Sequence, residues 1–379
     1  MTVPLSVFDL SPIPAGADAS LALRNSIDLA REAEALGYAR FWVAEHHLAP
    51  GVASSAPAVL VALLAAATGA IRVGSAAVLL GNYSPLSAVD HFATIARLHP
   101  GRVDLGLGRT GARAKDGGVP SRPRSHATAN RVVDGLLIPP PPPSIADPDR
   151  LARLGRLLHT RAAEPGEYLA EVQSVLDFLG DGHQEAGADE PVHSAVAAGA
   201  DLDVWVLGSS PGESARTAGE LGLPFGANYH VAPSAVLETA AAYREAFRPS
   251  KRLAEPYLVV SADVVVAPTD AEARRLAAGY GSWVHSIRSG GGAIPYPSPE
   301  AADAFTWTDQ SRAAVADRLD TQIVGGPDTV AERLRVLQGA TGADELLVTT
   351  ITHDHADRVR SYRLLAERWG LAPAQGGPR

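Results

Sequence analysis

A glutamate and two histidines stand together at positions 45–47, directly after an apolar run of strand length. An imidazole beside a carboxylate can be held in one tautomer and can act as a base near neutral pH. Glu45 and His46 are therefore candidate catalytic residues, with ordinary polar packing as the alternative. A place at the end of a barrel strand would favour catalysis, because barrel enzymes build their active sites there.

A serine- and glycine-rich turn after a later apolar run is the second candidate site. Gly208, Ser209, Ser210 and Ser214 lie between a predicted strand and a predicted helix. Such a turn offers backbone N–H groups, hydroxyls and a helix N-terminus, which together suit a phosphate. An ordinary helix cap is the alternative. Arg109 follows another predicted strand and could pair with the same anion.

A His-Asp-His sequence at positions 353–355 introduces a metal site as a further alternative. With His46 and His47 it would supply four imidazoles, a donor set that suits a metal-dependent barrel hydrolase. Capping of the last helix by Asp354 explains part of the sequence equally well. Metal hydrolase barrels typically carry a His-x-His pair after the first strand, which this chain lacks, so we expect no metal.

The composition excludes several kinds of partner and reactive group. The 379 residues carry a net charge of −9 and contain no cysteine. The negative charge argues against nucleic acid or an anionic membrane as a partner. The lack of cysteine excludes disulfides, cysteine nucleophiles and cysteine-ligated metal centres. The first residues lack the pattern of a secretory signal and no apolar run resembles a membrane span, so we expect a cytoplasmic protein without a membrane segment.

Apolar runs of strand length alternate with helical patterns along the chain. This alternation predicts a parallel sheet, because parallel neighbours need a crossover and the crossover is usually a helix. Eight strand and helix units in a chain of this size predict an α/β fold of the (β/α)8 TIM barrel type. The predicted strands begin near residues 5, 41, 71, 102, 203, 225, 257 and 345.

Two segments interrupt the alternation. The stretch from about 110 to 165 follows the fourth predicted strand, is rich in arginine, glycine and proline, and contains five consecutive prolines. The stretch from about 279 to 324 follows the seventh strand. We expect a single domain over residues 1–379, with these two segments as insertions in the barrel.

Several motifs occur in order along the chain. They read FWVAEHH at 41–47, VGSAAV at 73–78, PGRVDLGLGR at 100–109, GLPF at 222–225 and GPDTV at 326–330. Together they resemble the bacterial luciferase-like flavin monooxygenases, and the similarity fails mainly between about 111 and 190. The resemblance implies a TIM barrel that binds a flavin at the carboxyl ends of its strands.

The resemblance also assigns roles to particular residues. It implies that His46 is the catalytic base beside the flavin and that Glu45 is its acidic neighbour. It further implies a non-proline cis peptide between Ala76 and Ala77, on which the isoalloxazine ring rests, and a phosphate contact from Arg131. The implied cofactor-binding residues are Ala76, Ala77, Gly108, Arg109, Arg131, Gly208, Ser209, Ser210 and Ser214.

The chemistry that the resemblance implies is oxygenation. Reduced FMN from a separate reductase would react with O2 to a C4a-(hydro)peroxyflavin, which oxygenates a small organic substrate. An F420-dependent oxidoreductase of the same fold is the alternative. The Glu-His-His sequence favours FMN, because F420 enzymes more often have an acidic residue, histidine and an aromatic residue there. Family members are commonly homodimers, and helices around 60–67 and 89–98 are candidate contact faces.

Overall fold

Eight parallel strands of the chain close into a barrel, which confirms the predicted fold class. The computed structural model describes residues 2–109, 129–142, 148–161, 166–185 and 187–372. The strands of this part of the chain are β1 (Leu5–Asp9), β2 (Arg40–Val43), β3 (Arg72–Ser75), β4 (Val78–Leu79), β5 (Val103–Gly108), β6 (Arg131–Val133), β7 (Leu136–Ile138), β8 (Leu202–Gly208), β9 (Phe225–Asn228), β10 (Leu258–Val266), β11 (Ile323–Gly325) and β12 (Glu345–Thr349).

Helices connect the strands and cover the outside of the barrel. They are α1 (Ala19–Ala35), α2 (Pro57–Ala67), α3 (Pro85–Leu98), α4 (Pro148–Leu157), α5 (Glu167–Leu179), α6 (Glu213–Glu220), α7 (Val236–Ala246), α8 (Asp270–Leu276), α9 (Tyr280–Arg288), α10 (Pro299–Asp303), α11 (Asp309–Ala313), α12 (Ala316–Thr321), α13 (Pro327–Thr341) and α14 (His355–Trp369). Among the described residues, no helix has both the length and the apolar character that crossing a membrane requires.

The barrel closes through parallel pairing around its whole circumference. The order is β1, β2, β3, β5, β8, β9, β10 and β12, with β12 paired to β1. The short strand β4 continues β3 beyond a break and pairs with β5. All the barrel strands therefore end at the same rim, which brings the residues after each strand together.

Side chains alternate along each barrel strand between an outer and an inner core. On β10, Val260 and Ala262 pack outward against the helices, whereas Val259 belongs to the inner cluster. The alternation therefore places Ser261 and Asp263 on the inner face, toward the carboxyl end of the strand. The polar residues that the sequence places on this strand thus face the inside of the barrel.

The amino-terminal end of the barrel is filled by ion pairs. Arg40 contacts Asp104 at 2.9 Å and Glu345 at 3.2 Å, and Arg72 contacts Asp104 at 2.6 Å. These charged groups satisfy one another, as buried charges must. Barrel enzymes place their active sites at the opposite end, where the strands reach their carboxyl ends.

The insertion after β10 contributes a cover to that open end. It contains α9 to α12 and β11. Tyr280 and Trp283 of α9, together with Tyr296, join Phe8 and Leu10 in the inner cluster. The insertion thus extends the inner core of the barrel above the strand ends.

The structure differs from the sequence prediction in two places. The predicted third strand is broken into β3 and β4, because a cis peptide between Ala76 and Ala77 turns the chain. The insertion after β5 contains an antiparallel hairpin of β6 and β7, which the alternation pattern does not reveal. Residues 110–128 of this insertion lie outside the described part of the chain.

Candidate active site

Four of the sequence-predicted segments lie on the carboxyl rim of the barrel. The end of β2 is paired with the end of β3, and β5 is paired with β4 and β8. His46 follows β2, the Ala76–Ala77 peptide follows β3, Arg109 follows β5, and Ser209 follows β8. The strand order therefore brings the Glu-His-His cluster, the cis peptide and the serine turn to neighbouring positions around one opening.

Glu45 fixes the loop after β2 and does not contact the His46 ring. Its Oε1 lies 2.9 Å from Nε2 of His47 and accepts a hydrogen bond from the Asn82 amide at 2.9 Å. Its Oε2 accepts the Leu79 N–H at 2.9 Å. Glu45 is buried. The carboxylate thus orients His47 and the strand after the cis peptide, and its catalytic role beside His46 stays a prediction.

His46 itself is held by its main chain, and its ring is available. The His46 N–H donates to the Ser54 carbonyl oxygen at 2.8 Å. Within the described part of the chain the ring makes no side-chain hydrogen bond. His46 is exposed at the carboxyl rim, where it follows β2. Desolvation by the surrounding protein, with a contribution from His47, lowers the pKa of His46 to about 4. The imidazole is therefore neutral near pH 7 and can accept a proton.

We expect the His46 imidazole to titrate near pH 4. Its folded-state pKa lies below the ordinary value of 6.5, so the unfolded chain takes up the additional proton first as the pH falls. The free energy of unfolding therefore decreases between about pH 6.5 and 4. NMR spectra of the imidazole C–H groups over this range test the prediction, with His46→Gln identifying the signal. A midpoint near 6.5 for that signal would contradict it.

The peptide bond between Ala76 and Ala77 is cis, as the resemblance implies. Both alanines are half-buried and pack against the inner cluster. A Cβ atom on Gly108 would lie 3.0 Å from the Ala77 Cβ, and one on Gly106 would lie 2.0 Å from the Ser75 carbonyl oxygen. The two glycines thus let β5 approach the cis peptide closely. The result is a narrow ledge of small side chains that a flat ring can contact.

The serine turn leads into α6, whose N-terminus has no side-chain cap. Gly212 is the N-cap residue and supplies no side-chain acceptor to the first turn. The Ser210 Oγ lies beside Gly212, where a Cβ would approach it to 3.1 Å. A Cβ on Gly208 would lie 2.9 Å from the Ser214 Cβ. The turn is therefore compact, and the first N–H groups of α6 receive no side-chain cap, which suits an anion.

Arg109 approaches this turn but is already paired. Its Nη1 forms an ion pair with Oε2 of Glu213, the first residue of α6. The other carboxylate oxygen of Glu213 accepts the Gly166 N–H at 2.8 Å. Both side chains of the pair keep some exposure, 30% for Arg109 and 22% for Glu213. An anion that binds here must share Arg109 with the Glu213 carboxylate, and the sequence does not predict this ion pair.

Arg131 pairs with α7, the helix after the one into which the serine turn leads. It begins β6 of the hairpin, its side chain is half-exposed, and it contacts Glu238 of α7 at 3.2 Å. Among the described residues, Arg131 and Arg109 have different partners, Glu238 and Glu213. Its role at a phosphate stays a prediction.

The histidines of the metal alternative are engaged separately. His47 contacts Glu45, His353 lies 3.1 Å from the Ala15 carbonyl oxygen, and His355 lies 2.9 Å from Asp28. In the part of the chain that the structure describes, no three His, Asp or Glu side chains form a group able to hold a metal ion. Asp354 caps α14 by accepting the Ala356 N–H at 2.7 Å.

A second histidine lies close to His46 inside the barrel. His230, after β9, contacts the Ser261 hydroxyl at 2.5 Å through Nδ1 and packs edge-on against Phe8. Burial lowers the pKa of His230 well below its ordinary value, and Arg318 and His46 lower it further. Both imidazoles of the barrel mouth are thus neutral. The place of His230 at a strand end is visible in the sequence, whereas its contact with Ser261 is not.

A buried network beside His230 could not be found from the sequence. Arg318 donates to Asp263 at 3.1 Å and to the Tyr280 hydroxyl at 2.7 Å, and that hydroxyl donates to Asp263. Each of the three residues is at most 8% exposed. Burial raises the pKa of Asp263, which Arg318 partly offsets. The partners come from β10, α9 and α12, and no local spacing connects them.

Comparison with known proteins agrees with this geometry. Residues 3–344 match the sequence profile of the luciferase-like monooxygenases. A protein of Escherichia coli strain K12 named luciferase-like monooxygenase is 33% identical over 365 residues, which is 96% of both chains. The similarity thus spans both the barrel and its insertions.

Solved structures show the same fold. The crystal structure of apo-MsnO8 has a TM-score of 0.79 and 32% identity, and it covers 98% of this chain and 100% of its own. Two more distant barrels have TM-scores of 0.60. One is the oxygenating constituent of 3,6-diketocamphane monooxygenase from Pseudomonas putida in complex with FMN, with 20% identity over 100% of both chains. The other is an F420-dependent secondary alcohol dehydrogenase, with 16% identity over 98% of this chain and 99% of its own.

Proposed function

The chain belongs to the luciferase-like monooxygenase family. From this premise we propose that it is an FMN-dependent monooxygenase that oxygenates a small organic substrate with O2. A separate reductase would supply the reduced flavin. The observation that carries the proposal is the presence, on one rim, of a neutral His46, a ledge of small side chains at the cis peptide, and an uncapped helix N-terminus beside an arginine.

The residues of the rim fit a flavin. The half-buried Ala76 and Ala77 offer a flat apolar contact for the ring system. The turn with Ser210 and the first turn of α6 supply the N–H and hydroxyl donors that a phosphate group needs, with Arg109 as the cation. In a chain whose net charge is −9, Arg109 would be the cation of this site, shared with the Glu213 carboxylate.

The role proposed for the protein follows from its own side chains. Reduced FMN supplies the electrons with which O2 is activated for transfer to the substrate. His46 would hold or accept a proton beside the ring, because its imidazole is neutral and makes no other side-chain hydrogen bond in the described residues. The aromatic residues of the inner cluster would exclude water from the reacting atoms.

Delivery by a reductase is consistent with the ion pair at the phosphate turn. A phosphate must compete with the Glu213 carboxylate for Arg109. This competition weakens the hold on the flavin, so we propose that the flavin arrives and leaves as a diffusing molecule.

Anaerobic titration with reduced FMN and with reduced F420 tests the choice of cofactor. We expect saturable binding of reduced FMN and O2 consumption by the complex when a general flavin reductase and NADH are added. Preferential binding of F420 would replace the proposal with its alternative, an F420-dependent oxidoreductase of the same fold. The FMN-bound and F420-dependent structures described above share this fold and do not decide between them.

Two substitutions at the serine turn should change FMN binding in opposite directions. Ser210→Asp places a negative charge against the phosphate and should weaken binding about tenfold or more, since a charge-assisted hydrogen bond contributes roughly 1.5–3 kcal/mol. Glu213→Gln removes the competing carboxylate and should strengthen binding several-fold. Ser210→Asn is the uncharged control of similar size. Equal dissociation constants for all four proteins would place the phosphate elsewhere.

We also propose that the protein forms a homodimer through α2. Val59 and Leu63, one turn apart on this helix, are 64% and 51% exposed, whereas Leu60 and Leu64 of the predicted face belong to the core. An exposed apolar face of this kind is typical of an interface between subunits.

A charged residue at the centre of this face should separate the subunits. We expect Leu63→Glu to elute as a monomer in size-exclusion chromatography with light scattering, because the interface would bury an unpaired carboxylate. Val132→Glu is the control, since Val132 is 69% exposed in the hairpin, away from α2. A monomeric wild-type protein would refute the dimer, and a Leu63→Glu dimer would place its interface elsewhere.

A further inference from the structure

A cavity of about 280 Å³ lies beside the ion pairs at the amino-terminal end of the barrel, opposite the rim that carries His46. Its wall is formed by the amino ends of β2, β8 and β9 and by the loop between α7 and β10. The lining residues are Arg40, Asp203, Val204, Trp205, Pro224, Arg252, Leu253 and Tyr257. The volume suits a molecule with a single ring, since drug-sized ligands occupy pockets of about 300–1,000 Å³.

A hydrogen-bonded turn places Arg252 and Leu253 beside the cavity. The Ser250 hydroxyl oxygen accepts the N–H of Arg252 at 3.0 Å and the N–H of Leu253 at 3.1 Å. The same hydroxyl donates to the Gly222 carbonyl oxygen at 2.9 Å. Nη1 of Arg252 lies 3.4 Å from the Leu202 carbonyl oxygen, at the start of β8. The turn therefore keeps the guanidinium at the amino ends of the strands, although Arg252 is an exposed residue.

Arg252 forms no ion pair with any of the described residues, whereas the other charges of the lining are matched. Arg40 is paired with two buried carboxylates. Asp203 is paired with Arg72 at 2.6 Å. The cavity thus offers one unmatched positive charge. It suits a group with a single negative charge, because the nearby Asp203 carboxylate would repel a dianion such as phosphate more strongly.

The rest of the lining is aromatic or aliphatic. The Tyr257 ring is half-buried and packs edge-on against Trp205, with ring centroids 5.7 Å apart. Its hydroxyl donates to Glu345 at 2.9 Å, which fixes the ring. Leu253 and Pro224 are also half-buried and keep part of their surface accessible. An apolar surface that is already formed therefore lies beside the guanidinium.

We propose that this cavity binds a small aromatic monocarboxylate, whose carboxylate pairs with Arg252 and whose ring packs on Tyr257 and Leu253. A guanidinium can bind a carboxylate through two parallel hydrogen bonds, and this geometry fixes the orientation of the ligand. Burial of the ring against the apolar wall adds to the affinity. The cavity lies at the opposite end of the barrel from the proposed flavin site, so this inference goes beyond the proposed function and does not depend on it.

Titration of the flavin-free protein with benzoate, followed by isothermal titration calorimetry, tests the inference. Benzamide has nearly the same shape without the charge, and acetate has the charge without the ring. We expect benzoate to bind about tenfold tighter than benzamide, as charge-assisted hydrogen bonds would give, and acetate to bind more weakly than benzoate. Equal binding of benzoate and either control, or no saturable binding of benzoate at millimolar concentration, would overturn the inference.

Variants then assign the binding to this cavity. Arg252→Gln should reduce benzoate affinity about tenfold and leave benzamide unchanged, because it removes the charge and one fork of the guanidinium. Arg248→Gln is the matched control, since Arg248 is an exposed arginine of the same loop outside the lining. Equal effects of these two substitutions would overturn the assignment. His46→Ala should retain benzoate binding, and loss of binding in that variant would place benzoate at the opposite end of the barrel and refute the proposed site.

Discussion

His46→Ala should lower the oxygenation rate by about a hundredfold to ten-thousandfold, the range that general acid and base groups contribute, and should leave the affinity for reduced FMN unchanged. His46 is exposed at the carboxyl rim after β2, its imidazole is neutral near pH 7, and it makes no side-chain hydrogen bond within the described residues. Its loss therefore removes a proton acceptor without removing a support of the fold. The proposed phosphate contacts lie two and three barrel strands away, after β5 and β8 respectively.

The neighbouring His47 provides a matched control. Its Nε2 contacts Glu45 and it belongs to the loop support, so His47→Ala should affect stability more than turnover. Rates of substrate-dependent oxygen incorporation and dissociation constants for reduced FMN, measured on both variants, separate the two roles. Full turnover in His46→Ala would defeat the assignment of a catalytic base. Loss of FMN affinity in that variant would make His46 a binding residue instead.

The sequence was sufficient to predict the barrel because each strand carries its own local signal. All eight predicted barrel strands are found, and the rim order follows once their parallel pairing is known. The resemblance also located the cis peptide, which no apolar pattern could have shown. By contrast, the orientation of Glu45 toward His47, Asn82 and Leu79 depends on contacts made across the loop after β3.

The polar contacts between residues far apart in the chain could not be predicted from the sequence. Arg318 reaches Asp263 across 55 residues, and Arg109 reaches Glu213 across 104. Neither pair has a fixed spacing or a local motif, since each depends on how an insertion or a helix docks on the rim.

The buried network should contribute strongly to stability. Arg318→Met leaves Asp263 buried without its cation, and removal of one partner from a buried ion pair costs about 3–5 kcal/mol. We therefore expect the free energy of unfolding, measured by urea denaturation, to fall by roughly that amount. The double variant Arg318→Met with Asp263→Leu should recover much of the loss, because it removes the uncompensated charge together with its partner.

An exposed ion pair of the same chain calibrates this measurement. Arg131 and Glu238 are 46% and 50% exposed and lie 3.2 Å apart, so Arg131→Met should cost no more than about 1 kcal/mol. If Arg318→Met costs as little as Arg131→Met, Asp263 must be protonated or solvated in the absence of the arginine.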